Sequence, residues 1–257
     1  MARRTRDRYA IAERGMVGRI LYAGWPNRGL RRSMGARFPG EGAKELRLGR
    51  RSRILDVGCG SAALLLELQA AGFDRLLGID AFLDEDLAYP GGLRVLKRTI
   101  HEVSGRWDVI MFHHSFEHIP DPQATLSAAA KLLAPDGACL VRLPLVSSAA
   151  WERYGVNWVQ LDAPRHFFLH SIESLKRVAG QARMEISKIV HDSGSLQFFG
   201  SELYLRDIPL QPVVPTEVAA RASAFTPSEL EAFERQAQTL NAEGRGDQAA
   251  FYLRRAR

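Results

Sequence analysis

Arg53-Ile54-Leu55-Asp56-Val57-Gly58-Cys59-Gly60-Ser61 runs from an apolar strand into a glycine turn. Ile54 to Val57 reads as a short buried strand that runs straight into a Gly-x-Gly turn. A leucine-rich helix is expected to follow from about Ala62 to Ala71. Glycine suits such a turn because the backbone must bend sharply and let a ligand approach with no Cβ in the way. The helix then points its first N–H groups at whatever fills the turn. Twenty residues after Gly60, a second apolar run, Leu76-Leu77-Gly78-Ile79, ends on Asp80. A carboxylate there can accept hydrogen bonds from a pair of ribose hydroxyls. The stretch is read as the binding site of a nucleoside-containing cofactor.

Asp56 narrows the choice of cofactor. It stands two residues before the first glycine, at the end of the strand, where a carboxylate would repel a pyrophosphate and attract a cation. That favours S-adenosylmethionine, whose sulfonium and ammonium are both positive, over a dinucleotide. With Asp56, Gly58 and Gly60 in these positions the sequence resembles the class I S-adenosylmethionine-dependent methyltransferases, whose first motif usually reads Asp-x-Gly-x-Gly-x-Gly. Ala62 stands where the last glycine of that motif would be. The resemblance implies that Gly58, Cys59 and Gly60 admit the methionine and ribose portion. It also implies that Asp56 orients the ammonium and that Asp80, with Ala81 beside it, holds the ribose.

Apolar runs and helical segments alternate further along the chain, as a doubly wound α/β sheet requires. Strands are expected at 53–57, 76–79, 93–96, 107–112 and 138–143, with a helix from about Asp121 to Leu133. Ser171 looks like the N-cap, and Gly180 the stop, of a later helix, and Met184 to Val190 is expected as strand six. Gln248 to Leu253 is expected as a seventh, antiparallel strand. The domain division expected is a basic helical lead-in over 1–50, the cofactor-binding core over 51–193, a helical insertion over 194–246 and the closing strand over 247–257. The insertion suits a substrate cap or a homodimer contact. In the lead-in, Tyr9, Ala12, Met16 and Ile20 recur at helical spacing over about Arg8 to Ala23, and Trp25-Pro26-Asn27 ends that helix.

Ligands of parallel α/β sheets sit beyond the carboxyl ends of the strands, so the residues just after each strand matter most. After the third strand, Thr99 and Ile100 lie where methyltransferases of this kind touch the adenine. The usual acid is missing there, which points to recognition through backbone groups. After the fourth strand, His113-His114-Ser115-Phe116-Glu117-His118-Ile119-Pro120-Asp121-Pro122 resembles the family's Leu-Glu-His-x-x-Asp-Pro signature, with Phe116 in the leucine position. The resemblance places His113 or His114 beside the transferable methyl.

On a helical turn, His114, Glu117 and His118 would share one face. Some quinone-precursor O-methyltransferases with this signature carry a metal at matching positions, with an acid where His114 stands. The alternative for Glu117 and His118 is a structural role, bonding the loop and packing the sheet edge; no metal ligand is assigned from sequence, and a divalent ion stays a secondary option. Asp162-Ala163-Pro164-Arg165-His166-Phe167-Phe168 resembles the family's Pro-Arg-His segment. His166 is either a general base or a structural hydrogen-bonder. His114, His118 and His166 are thus the catalytic candidates, since an imidazole titrating near ~6.5 can take a hydroxyl proton.

Composition bounds the remaining choices. Two cysteines, Cys59 and Cys139, cannot build a disulfide framework, and no apolar run approaches the ~18 residues of a membrane span, so a cytoplasmic protein is expected. The net charge is +6, but residues 1–53 hold 15 Arg or Lys against Asp7, Glu13, Glu41 and Glu45, which leaves the rest of the chain at −5. That basic excess is either a solvated face or a contact for an anionic partner. Three functions stay open: O-methylation of a small molecule or a glycan or glycolipid precursor, methylation of RNA through the basic N-terminus, and non-catalytic binding of S-adenosylmethionine. The pattern Leu240-Asn241 … Gly244-Arg245-Gly246-Asp247-Gln248 resembles methyltransferases of surface-polysaccharide or glycolipid synthesis.

Overall fold

A computed structural model describes residues 38–39 and 42–256. The lead-in helix expected over Arg8 to Ala23, with its Trp25-Pro26-Asn27 break, lies outside the described residues. The first described helix is α1 (Gly42–Glu45), and β1 (Ile54–Val57) follows it. β1 pairs in parallel with β2 (Leu76–Ile79) on one side and β5 (Trp107–His113) on the other. β4 (Arg94–Leu96) continues the parallel set beyond β2, and β6 (Leu133–Pro144) continues it beyond β5. β8 (Gln248–Arg255) is wedged antiparallel between β6 and β7 (Met184–His191). The whole order is β3-β4-β2-β1-β5-β6-β8-β7.

The doubly wound, mostly parallel sheet with an antiparallel last strand is therefore present, with eight strands rather than seven. The additional strand is β3 (Leu87–Ala88), a two-residue ribbon antiparallel to β4 at the sheet edge. It is too short to carry a period-two signal. β6 also starts earlier than Ala138. Leu133 pairs with Trp107, the chain loops out through Pro135-Asp136-Gly137, and pairing resumes at Val109 and Ala138.

The core divides by strand parity, because successive side chains in a strand point to opposite faces. Leu55, Val57, Ile110 and Phe112 face α3 (Pro122–Leu132) and α5 (Ile172–Gln181), which contribute Leu126, Ala129, Leu175 and Ala179. Ile54, Val109 and Met111 face α2 (Ala63–Ala70), which contributes Leu64, Leu65 and Leu68. All four residues of β1 are buried, as expected of a central parallel strand covered on both sides. Capping fixes where the helices begin. Asp121 accepts from Ala124 N–H at 2.9 Å with Pro122 at the first helical position, and Ser171 accepts from Ser174 N–H at 3.0 Å. α5 passes through Gly180 and stops at Gln181, and Arg183 rather than the glycine takes the left-handed φ of 54°.

Between β5 and β8 lie two further units. α4 (Ala149–Tyr154) sits in the long connection after β6, and α6 (Leu196–Leu205), α7 (Pro215–Ala222) and α8 (Pro227–Ala242) stand between β7 and β8. A third core joins them: Ala150, Tyr154 and Trp158 from the connection with Phe198, Ala237 and Leu240 from α6 and α8. Gly200 of α6 is needed there, since a Cβ would sit 2.6 Å from Val159 Cγ2. Among the described residues no helix is long and apolar enough to cross a membrane.

Candidate active site

The parallel order reverses between β1 and β5, which opens a crevice beyond their carboxyl ends. Gly58 and Gly60 form its floor with φ of +72° and +51°. A Cβ on Gly58 would lie 2.4 Å from Ser115 Cβ, whereas one on Gly60 would meet nothing within 4 Å. Ser115 is fixed over the turn by donating to Val57 O at 2.6 Å. Ala62, which replaces a glycine of the resembled motif, still takes the left-handed φ of 62° that glycine would take freely.

Asp80 ties this floor to the next strand. Its Oδ2 accepts from Gly60 N–H and its Oδ1 from Phe82 N–H, each at 2.9 Å. Each carboxylate oxygen has a second lone pair, so a diol can still be held. Asp56 is buried at the end of β1, on the same face as Ile54. Burial, and then the carboxylates of Asp56 and Asp80, push the Cys59 thiol up, so it stays protonated and is no nucleophile. Ala81 is exposed beside Asp80. Thr99 binds Glu102 through both its N–H and its hydroxyl, at 2.9 and 2.8 Å, so its side chain is engaged within the chain. Ile100 is buried in the core. The open space above Gly60, the carboxylate aligned with it and the α2 N-terminus fit a nucleoside with a cationic tail.

The opposite wall is built after β5. His113 closes that strand and meets the edge of the Phe38 ring at 5.8 Å. His114 has a left-handed φ of 51°, and Phe116–His118 form a 3-10 turn. That local geometry undoes the expected α-helical spacing. His114 Nδ1 is 3.6 Å from Glu117 Oε1, but the side chains that gather within 4.8 Å of one another are Glu117, His118 and His166. The 162–168 segment delivers His166 because the N–H groups of Phe167 and Phe168 both donate to Glu117 O, at 2.9 and 3.4 Å. The Ala163-Pro164 peptide in that segment is cis.

His118 Nδ1 lies 2.9 Å from Arg165 O. A carbonyl only accepts, so the proton of a neutral His118 is on Nδ1 and its Nε2 is left as an acceptor. Burial is the main cause that pushes the His166 imidazole down, against the opposing pull of Glu117, so it is unprotonated at neutral pH. Glu117 is 1% exposed, and its Oε2 is buried with no hydrogen-bond partner among the described residues. A buried carboxylate oxygen without a partner is costly and calls for a ligand or a proton.

Three residues of this end of the sheet are not among the candidates read from sequence. Arg142 on β6 donates from Nε to Asp192 Oδ2 at 2.6 Å, and its Nη1 lies 3.0 Å from His114 Nε2. Asp247, just before β8, accepts from Trp158 Nε1 at 2.9 Å and Gln160 Nε2 at 2.6 Å. Arg142 could have been found as the one charged residue in the otherwise apolar run Ala138–Leu143. Asp247 stands in the Gly244–Gln248 pattern but carries no sign of a site there, and Asp192 has no local signal, because only the sheet order brings them together.

Comparison with known proteins agrees with this geometry. Residues 30–186 match the family model described as a methyltransferase domain, and the chain belongs to that family. Among curated proteins, the ubiquinone biosynthesis O-methyltransferase of Bordetella avium is 31% identical over 155 residues, covering 52% of this chain and 63% of that protein. The ubiquinone biosynthesis O-methyltransferase of Salmonella paratyphi A is 27% identical over 131 residues, 47% of this chain and 51% of that protein. The chain thus spans between half and two thirds of the length of these relatives. Among solved structures, geranyl diphosphate C-methyltransferase from Streptomyces coelicolor superposes with a TM-score of 0.56 at 14% identity, over 97% of this chain and 88% of that one. A cyclopropane synthase from Mycobacterium tuberculosis gives 0.50 at 18% identity, over 82% and 80%. At such identities the superpositions establish the fold. The chain is thus a methyltransferase-domain protein with the doubly wound fold that these structures share.

Proposed function

We propose that the chain methylates a hydroxyl oxygen of a small molecule or of a glycan or glycolipid precursor. The observation that carries this reading is the convergence of Glu117, His118 and His166 within 4.8 Å at the mouth of the cofactor crevice, with Glu117 Oε2 lacking a partner. A hydroxyl is a weak nucleophile until its proton is taken, and a base beside it is what an O-methyltransferase needs that a simple binding module does not. The O-methyltransferase names of the curated relatives support the same atom type.

The bound cofactor supplies an electrophilic methyl on a positively charged sulfur. In the reaction the bond formed joins the acceptor oxygen to the methyl carbon, the bond broken joins that carbon to sulfur, and the hydroxyl proton goes to His166. His166 suits the proton because burial keeps it neutral at physiological pH. Glu117 balances the imidazolium that results. Gly58 and Gly60 admit the donor, Asp80 holds its ribose, Asp56 orients its ammonium, and Thr99 and Ile100 flank its adenine through backbone groups. Charge is dispersed rather than created in such a transfer, so alignment of the two reactants is the main contribution, with up to about 7–11 kcal/mol available from it. α6 and α8, packed on the connection through Phe198, Ala237 and Leu240, serve as the substrate cap.

A second reading adds a divalent ion. One carboxylate and two imidazoles are an oxygen–nitrogen donor set suited to a borderline metal such as zinc, and Glu117, His118 and His166 would hold it. Such an ion would act as a Lewis acid on the acceptor oxygen. Elemental analysis of the purified protein, before and after dialysis against EDTA, separates the two readings.

The test of the main proposal is incubation with methyl-labelled S-adenosylmethionine and fractionated cell extract, with His166→Ala alongside. Label in a small-molecule, lipid or glycan fraction, lost in His166→Ala while calorimetric affinity for S-adenosylmethionine is kept, is the expected result. Label in RNA, or wild-type turnover in His166→Ala, would overturn it.

A further inference from the structure

Arg142 is the one charged residue of β6 that pairs with β5, and its side chain is 13% exposed. Its partners lie beyond the ends of two other strands. Nε donates to Asp192 Oδ2 at 2.6 Å, just past the end of β7, and Nη1 is 3.0 Å from His114 Nε2, just past the end of β5. Asp192 is held by Gln248 Nε2, which donates to its backbone carbonyl at 2.9 Å. The β6 backbone also holds His114 directly, since His114 N–H donates to Arg142 O at 2.8 Å.

The chemistry of these contacts fixes a proton. A guanidinium has five donors and no acceptor, so His114 Nε2 must be the acceptor. The proton of the neutral ring is then on Nδ1, and Nδ1 is the atom that faces Glu117 Oε1 at 3.6 Å. A line of groups therefore runs across the carboxyl edge of the sheet: Asp192, Arg142, His114, Glu117. Each member presents the complement of the next, acceptor to donor, donor to acceptor, and N–H toward carboxylate.

We propose that Arg142 is a positioning residue of the methyl-transfer site, locking His114 as the Nδ1–H tautomer so that it turns a donor toward Glu117 and cannot act as the base. An Nε2–H tautomer would set an N–H against the guanidinium and a lone pair against the Glu117 carboxylate, two repulsive contacts in place of two attractive ones. His114 thereby polarises Glu117 through Oε1. The effect on turnover rests on the O-methylation reading above; the tautomer does not.

The experiment is a two-bond proton–nitrogen correlation spectrum of the full chain labelled with 15N-histidine, recorded above the imidazole range of ~6.5, with His114 assigned by its loss in His114→Gln. Wild-type protein should show a pyridine-type Nε2 and a pyrrole-type Nδ1 for His114. Arg142→Met should move it toward the Nε2–H form, and Arg142→Lys, whose single nitrogen cannot serve Asp192 and His114 as a fork, should do so in part. In turnover, Arg142→Met should lower kcat by about 10- to 100-fold, the usual effect of losing an outer-shell partner, with the dissociation constant for S-adenosylmethionine unchanged. An Nε2–H ring in the wild type, or an unchanged tautomer in both Arg142 variants, would overturn the proposal. The wild-type spectrum decides even if Arg142→Met fails to fold, and it needs no methyl acceptor, so failure of the O-methylation reading would be seen separately.

Discussion

Gly58 and Gly60 stand two residues apart on one turn and should fail differently when a methyl group is added. Gly60→Ala meets open space, so its cost is the left-handed φ of 51°, about 1–2 kcal/mol. That variant should fold, as Ala62 already does at φ 62°, and lose cofactor affinity because the new Cβ enters the crevice. Gly58→Ala adds a 2.4 Å clash with Ser115 Cβ to a φ of 72° and should lower the melting temperature well beyond Gly60→Ala. Thermal melts with and without S-adenosylhomocysteine check both. Asp80→Ala removes the charged acceptor of Gly60 N–H and, with Asp80 holding the ribose as proposed, calorimetry should show binding of S-adenosylmethionine weakened by about 1.5–3 kcal/mol, roughly 10- to 150-fold.

His170 supplies a pH test. It is 3% exposed, and burial lowers its affinity for protons relative to the unfolded chain, against a smaller opposing pull from Glu117. The unfolded state therefore binds more protons below ~6.5, so the stability His170 contributes is intact above that pH and is lost as pH falls. His166 and His191 shift in the same direction, while buried Asp192 and Asp247 are raised and work in the opposite sense. The difference between His170→Gln and wild type isolates one imidazole. Urea midpoints measured from neutral to mildly acidic pH should fall less steeply in the variant. Asp56, Asp80, Glu117 and His166 are legible in the sequence as candidates because each sits beside a strand end or in a recognisable motif. Asp192 is not, because its meaning comes from Arg142, a residue 50 positions away in sequence.

Among the elements, α6 and α8 carry the clearest energetic consequence. Phe198 is 1% exposed and stacks on Phe233 at 5.6 Å, joining α6 to α8, while Arg153 lies 5.9 Å from its ring. Phe198→Ala should cost about 3–5 kcal/mol by urea denaturation, the range for a buried aromatic whose cavity cannot collapse. A cost below 1 kcal/mol would mean that these helices are not anchored there. Elements with strong local signals were readable. β1 carries Asp56 one residue before its end, β2 stops one residue before Asp80, α3 begins at Asp121-Pro122, and α8 opens at Thr226-Pro227 with its Thr226–Glu229 capping box. Short or locally strained pieces were not. β3 has two residues, and the 3-10 turn at Phe116–His118 replaces the α-helical spacing that would have aligned His114 with His118.

At the scale of the whole molecule, the alternation of strands and helices sufficed for the doubly wound sheet, since right-handed parallel crossovers leave few alternatives. The wedging of β8 between β6 and β7 follows from pairing partners far apart in the chain, and no local pattern encodes it. The same wedging sets Asp192, Asp247 and Arg142 beside the crest of β5 and so completes the second wall of the crevice. The proposed reaction delivers a methyl group to oxygen in this crevice. Its most direct test is to run the reaction with 13C-methyl S-adenosylmethionine on the extract fraction that accepts label and to record the carbon spectrum of the product. A methoxy resonance, absent with His166→Ala, is the predicted result; a carbon- or nitrogen-bound methyl, or a methoxy signal undiminished in that variant, would contradict it.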